Sequence, residues 1–204
     1  MTRILRLLLA DDQALVRGAL ATMLSLEPDI EVVAEVGRGD EVVPAALESR
    51  PDVALLDVEM PGGDGITAAA ELRERMPGIR VLMVTTFGRP GYLRRAMRAG
   101  VAGFVVKDTP AKRLAAIVRD VADGIRVIDP ELAAESLVAG ESPLSEREAD
   151  VLRAAQSGGT IADVAGQLHL SEGTVRNYLS SAIGKTDART RAEAVRIALD
   201  NGWL

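Results

Sequence analysis

The chain alternates between short, almost unbroken apolar runs and longer stretches in which apolar residues return every three or four positions. The short runs are Leu5 to Ala10, Glu31 to Val36, Val53 to Leu56, Val81 to Thr85 and Gly103 to Val106. The longer stretches fall at about 14–26, 40–49, 65–75, 91–99 and 110–122. This pattern predicts five strand–helix units with short connections, which build a parallel sheet. Leu7-Leu-Leu-Ala10, Val53-Ala-Leu-Leu56 and Val81-Leu-Met-Val84 are apolar at every position. Strands of that kind are buried on both sides, so the expected fold is a doubly wound α/β domain with a five-stranded sheet in the order 2-1-3-4-5.

After Gly124 the strand pattern stops. Pro130, Gly140, Ser142 and Pro143 among acidic residues mark a linker over 127–143, with room for a short helix near Glu131 to Val138. From Leu144 to Leu204 only helical periodicity remains. Ser145-Glu-Arg-Glu148 is a capping box, in which the serine accepts from the Glu148 N–H and the glutamate reaches back to the serine N–H. Thr160 to Leu168 and a helix capped by Ser171 flank a tight turn at His169-Leu170, the proportions of a helix-turn-helix. The predicted organisation is an α/β domain over 1–126, the linker, and a small all-α domain over 144–204.

Composition narrows the chemistry. Among 204 residues there is no cysteine and one histidine, His169, which excludes disulfides, Cys-ligated metals, thiol catalysis and multi-histidine metal sites. Aromatics are only 2% of the chain, too few for a surface that stacks several bases. Chemistry must then run on carboxylates, hydroxyls, Lys or Arg. The N-terminal apolar run is broken by Arg6 and ended by Asp11-Asp12, so it reads as a strand rather than a signal peptide. No stretch is long and apolar enough for a membrane span, and a soluble, cytoplasmic protein is expected.

In a doubly wound sheet, functional groups gather just beyond the carboxyl ends of the strands. Those ends carry Asp11 and Asp12, Asp57, Thr85 and Lys107 on four strands that the expected order makes neighbours. Taken singly, each is an ordinary turn, strand or surface residue; together they are specific. Crowded carboxylates repel and resist ionisation unless a hard cation neutralises them, and Mg²⁺ suits oxygen ligands. A carboxylate beside Mg²⁺ can attack a phosphoryl group, with Lys107 and the Thr85 hydroxyl stabilising the phosphoryl oxygens. Asp57 is the expected nucleophile.

Asp11-Asp12, Leu55-Leu-Asp57-Val-Glu-Met-Pro61-Gly-Gly-Asp-Gly65, Val81-Leu-Met-Val-Thr85 and Gly103-Phe-Val-Val-Lys107 resemble a response-regulator receiver domain. The resemblance covers about residues 3–124. It implies Asp57 as phosphoacceptor, Asp12, Asp57 and the Glu59 backbone carbonyl as metal ligands with Asp11 in support, Thr85 as switch hydroxyl, Phe104 as switch aromatic, and Lys107 as phosphate contact. On phosphorylation Phe104 is expected to turn inward. Asp108 departs from the proline that many receivers carry after the lysine.

In the helix after Ser171, Val175, Tyr178, Leu179, Ala182 and Ile183 follow the spacing of a buried stripe. Glu172, Gly173, Arg176, Asn177, Ser180, Ser181 and Lys185 are left facing outward. Arg176 and Asn177 are donors suited to base edges in a major groove, and small Gly173 and Ser180 allow close approach. Ser171, Thr174 and Lys185 are expected at phosphates. Leu144-Ser-Glu-Arg-Glu-Ala-Asp-Val-Leu152, Ile161-Ala-Asp-Val-Ala165, Leu170-Ser-Glu-Gly-Thr-Val175 and Arg191-Ala-Glu-Ala-Val195 resemble the LuxR-type helix-turn-helix of NarL/FixJ response regulators, over about 144–204. Arg176-Asn-Tyr-Leu-Ser-Ser-Ala-Ile-Gly-Lys185 lacks the common Lys-x-His pattern and is similar to the DesR-like subgroup.

These resemblances imply a two-component transcription regulator rather than an enzyme with turnover. A sensor histidine kinase would phosphorylate Asp57, the chain would form a homodimer, and two recognition helices would meet double-stranded promoter DNA. An aspartyl-phosphate phosphatase of the haloacid dehalogenase type is a rival, but its Asp-x-Asp belongs on the first strand, whereas Asp57-Val-Glu59 follows the third. A constitutive DNA-binding protein with a vestigial receiver is a third reading. Gly184-Lys185-Thr186 imitates the end of a P-loop without the strand or the earlier glycine that one needs. The net charge of −6 is uneven: residues 1–142 hold 17 Lys and Arg against 22 Asp and Glu, and 143–204 hold 7 against 8. The near-neutral helical half is compatible with DNA, though weakly as a monomer.

Overall fold

The computed structural model describes residues 3–86, 90–138, 142–156 and 158–204. Residues 139–141 of the expected linker lie outside them. The chain divides into two compact units, the first of Met1–Gly88 and Tyr92–Ala134 and the second of Arg89–Gly91 and Glu135–Leu204.

The first unit holds β1 (Leu5–Ala10), α1 (Ala14–Leu24), β2 (Ile30–Val36), α2 (Gly39–Ser49), β3 (Val53–Leu56), α3 (Gly65–Arg75), β4 (Arg80–Thr85), α4 (Pro90–Arg98), β5 (Gly103–Val106), α5 (Ala111–Ala122) and β6 (Val127–Ile128). The strands are parallel, in the order β2-β1-β3-β4-β5-β6. Successive side chains on a strand point to opposite faces, and the apolar runs use both. Leu8, Ala10, Ala54, Leu56, Val81, Met83 and Phe104 join α2, α3 and α4 in one core. Leu5, Leu7, Leu9, Val53, Leu55, Leu82, Val84 and Val105 join α1 and α5 in the other. Each fully buried leucine of these strands contributes about 2 kcal/mol, which is why unbroken apolar runs signal this architecture.

The expected order of the first five strands holds, and a sixth strand is added within the stretch read as linker. Val127 and Ile128 pair with Gly103 and Phe104. Two residues are too few to show an alternating pattern in sequence. A side chain at Gly103 would come within 2.6 Å of Leu82 and 3.2 Å of the Val127 carbonyl oxygen, so the bare backbone there lets β6 close on the sheet. Beyond β6, α6 (Pro130–Val138) forms in the region where a short helix was expected.

The helical domain holds α7 (Glu146–Ala155), α8 (Ile161–Leu168), α9 (Glu172–Lys185) and α10 (Arg191–Asp200). Ser145, Thr160, Ser171 and Thr190 cap them, each accepting from the N–H three residues on. Such a cap stabilises by about 1 kcal/mol. His169 closes α8 in the left-handed region, with φ 53°. Val151, Leu152, Val164, Val175, Leu179, Ala182, Ala194 and Ala198 form the core, with Tyr178, Ile183, Trp203 and Leu204 packed at its margin. The stripe read along α9 is therefore the buried one. Among the described residues, no helix is long and apolar enough to cross a membrane.

Candidate functional site: an acidic pocket and an outward helix

The pocket is assembled by strand register. Ala10 pairs with Leu56, so Asp11 and Asp57 leave adjacent strands side by side. The Asp57 N–H donates to the Ala10 carbonyl at 2.8 Å, and the Lys107 N–H donates to the Thr85 carbonyl at 2.8 Å, extending the ladders one residue past the strands. The Lys107 Nζ lies 2.7 Å from Asp11 Oδ2 and 2.8 Å from Asp57 Oδ2. The other oxygens are also occupied: Asp57 Oδ1 accepts from the Val58 N–H at 2.7 Å and Asp11 Oδ1 from the Gln13 N–H at 2.9 Å. Carboxylate oxygens of Asp11, Asp12 and Asp57 lie within 4.8 Å of one another. Asp11 and Asp57 are buried and Asp12 is exposed, which makes Asp12 the open side of the cluster.

Burial pushes the Asp57 carboxyl above the usual aspartate range; hydrogen bonding and charge from Lys107 oppose this, while the Asp11 charge adds to it. For Lys107 burial pulls downward, yet the bonds to Asp11 and Asp57 prevail and raise its affinity for a proton. A divalent cation would meet three hard oxygen donors with two buried negative charges and one ammonium already present. That donor set suits Mg²⁺, which keeps part of its water shell while using few protein carboxylates.

Thr85 ends β4 and is buried. Phe104 is 0% exposed and belongs to the α2–α3–α4 core. The β5 pairing directs position 104 to that face, so the ring lies inside in this structure. Glu59 is exposed, and its side chain accepts from the Tyr92 hydroxyl at 2.6 Å. Asp64 caps α3 and also binds Arg95 of α4 at 2.6 Å. Sequence reasoning did not single out Tyr92, Arg95, or Arg17, whose guanidinium donates to the Asp11 carbonyl. These contacts join distant segments and leave no local spacing to read. Gly65 carries another constraint, since a Cβ there would overlap the Asp57 carbonyl oxygen.

On α9, Glu172, Gly173, Arg176, Asn177, Ser180, Ser181 and Lys185 are all exposed, as expected. Ser171 Oγ accepts from the Thr174 N–H at 3.1 Å and shares a 2.8 Å hydroxyl–hydroxyl bond with Thr174. Arg176 is held by Glu172 one turn earlier at 2.6 Å. Lys185 has a protein partner on α7. Its ammonium lies 2.8 Å from Glu148 Oε2, and Ser181 Oγ donates to Glu148 Oε1 at 2.6 Å. Ser181 and Lys185, one turn apart beside the buried stripe, thus meet Glu148 of α7 while remaining exposed to solvent.

Comparison with known proteins agrees with this two-part construction. Residues 7–119 match the model of the response regulator receiver domain, and residues 142–198 that of bacterial regulatory proteins of the luxR family. The chain is 42% identical to the transcriptional regulatory protein YvfU of Bacillus subtilis, over 98% of this chain and 100% of that protein. It is 40% identical to the transcriptional regulatory protein DesR of the same organism, over 96% of this chain and 97% of that one. Among solved structures, the response regulator ChrA of a heme-sensing two-component system aligns over 97% of both chains, with a TM-score of 0.60 and 31% identity. Neither a dehalogenase-type phosphatase nor a P-loop protein is favoured by these matches. The chain belongs to the NarL/LuxR-type response regulators, in which a receiver domain is joined to a LuxR-type helix-turn-helix domain.

Proposed function

We propose that the chain is a cytoplasmic transcription regulator switched by phosphorylation of Asp57. The observation that carries this reading is Lys107 bridging Asp11 and Asp57 while the oxygens of all three aspartates remain within 4.8 Å. A carboxylate oxygen of Asp57 attacks the phosphorus of a phosphohistidine on a partner sensor kinase; the P–O bond forms, the P–N bond breaks, and the imidazole leaves. Asp11, Asp12, Asp57 and the Glu59 carbonyl would hold Mg²⁺, which supplies charge neutralisation at the phosphoryl oxygens. Lys107 follows the phosphoryl group as a fixed cation, and the Thr85 hydroxyl donates to one of its oxygens. The chain is not read as an enzyme with an external product, because the acceptor is its own side chain.

Phosphorylation then favours a homodimer, which places two copies of α9 on paired half-sites of double-stranded promoter DNA. In this reading Arg176 and Asn177 meet base edges, Ser180 allows close approach, and Ser171 and Thr174 meet phosphates. The receiver extends through β6, and residues 144–204 form the DNA-binding domain. The test is incubation with acetyl phosphate and Mg²⁺, followed by phosphate-affinity electrophoresis and binding to duplexes selected from a random pool. A retarded species that is lost in Asp57→Asn, and DNA binding that rises with it, are expected. An unretarded wild-type chain would overturn the reading.

A further inference from the structure

Glu148 sits in a place that its capping role does not explain. A capping box needs a glutamate at the third helical position to reach back to the cap N–H, and it does so readily from a solvated surface. Here the residue is only 4% exposed. Oε2 accepts from the Ser145 N–H at 2.6 Å and from the Lys185 ammonium at 2.8 Å, while Oε1 accepts from the Ser181 hydroxyl at 2.6 Å. One carboxylate thus binds the start of α7 and the second half of α9 together. A buried carboxylate is costly unless its acceptor sites are filled, and two of the three donors come from α9. Lys185 keeps its stem partly in water, with a side chain 41% exposed, but its ammonium is already matched by a charge of opposite sign.

We propose that Glu148, Ser181 and Lys185 form a clamp that sets the angle of α9 on α7, and that Lys185 is a positioning residue rather than a DNA-phosphate contact. This rests on the reading of α9 as the DNA-facing helix. The face left for DNA is then Gly173, Arg176, Asn177 and Ser180, about a third of a turn around the helix from Ser181 and Lys185. Rotation of α9 by a few degrees would misplace Arg176 and Asn177 together, because both rise from the same rigid helix.

The two roles for Lys185 differ in their dependence on salt. A lysine that neutralises a DNA phosphate releases a counterion, so its removal makes the plot of log affinity against log salt shallower by about one per subunit. A clamp lysine leaves that slope unchanged. The experiment uses the phosphorylated full-length chain and a duplex that the wild type selects from a random pool, with Lys185→Met, Glu148→Gln, the double variant and Ser181→Ala. Each single variant of the charged pair is expected to bind on the order of tenfold more weakly, and the double variant no worse than either, because both remove one interaction. Ser181→Ala changes no charge; it should weaken binding at constant slope, with recovery in Ser181→Thr. Thermal melts establish that each variant is folded, and Ser181→Ala remains informative if the Glu148 variants are not.

A slope shallower by about one per subunit in Lys185→Met, with losses that add in the double variant, overturns the clamp and restores Lys185 to the phosphate. A wild-type chain that enriches no duplex overturns instead the DNA reading of α9 itself, and the clamp's role falls with it.

Discussion

The molecule places a lysine against a buried carboxylate in both of its domains, and the two arrangements have opposite electrostatic outcomes. In the receiver, Lys107 is shared between Asp11 and Asp57, with Asp12 close by. Burial prevails there, and Asp57 holds its proton more readily than a free aspartate. In the helical domain burial also opposes ionisation of Glu148, but the bonds from Lys185, Ser181 and Ser145 outweigh it and hold the carboxyl down at about 2. One ammonium serving two acids leaves negative charge uncompensated, and such a site is able to gain from a cation. One acid served by three donors is complete. The first arrangement suits chemistry and the second suits architecture, although the pairs are built from the same groups.

The largest effect that separates them is expected at Asp57. Asp57→Ala should abolish phosphorylation-dependent dimerisation, read as an unchanged mass in light scattering after acetyl phosphate treatment; a mass that still doubles would place the acceptor elsewhere. Next is Lys107→Met, which leaves two buried carboxylates without their cation and should cost about 3 kcal/mol of receiver stability. Urea melts should show a smaller loss when Mg²⁺ is present. An equal loss with and without the ion would mean that the pocket is as complete as the Glu148 site.

The Glu148 site should contribute to stability on the order of 2 kcal/mol. Its folded-state pKa, about 2, lies below the ordinary value of 4.5. The contribution is therefore fully present above pH 4.5 and is lost as pH falls through 2. Melts of the wild type against Glu148→Gln should converge across that window; parallel curves would break the comparison. The smallest effect belongs to the exposed Arg176–Glu172 pair one turn apart on α9. Glu172→Ala should change stability by less than about 0.5 kcal/mol, and a larger shift in the melt would show that exposure does not decide which pairs matter here.

The sequence made the sheet legible because strands buried on both faces must be apolar at every position, and Leu7 to Ala10 and Val53 to Leu56 are. It made the pocket legible because topology alone brings the ends of β1, β3, β4 and β5 together. It could not reveal β6, since Val127 and Ile128 are too short for a period. The role of Phe104 comes only from the resemblance; strand register adds the face on which its ring starts, the α2–α3–α4 core. Glu148 was hidden by its own capping box, which accounts for a glutamate at that position without any partner on α9. Ser181 and Lys185 are exposed, as periodicity implies, but periodicity separates apolar from polar and does not reveal that both also meet a buried acid.

Gly65 has no functional group, yet the start of α3 passes so close to the Asp57 carbonyl that no side chain fits between them. A random-mutagenesis screen for lost signalling should consequently recover substitutions at this glycine as readily as at the aspartates. Within such a data set, the most intolerant position of the loop would be one that contributes no chemistry at all, and its role would be read only from the space it leaves.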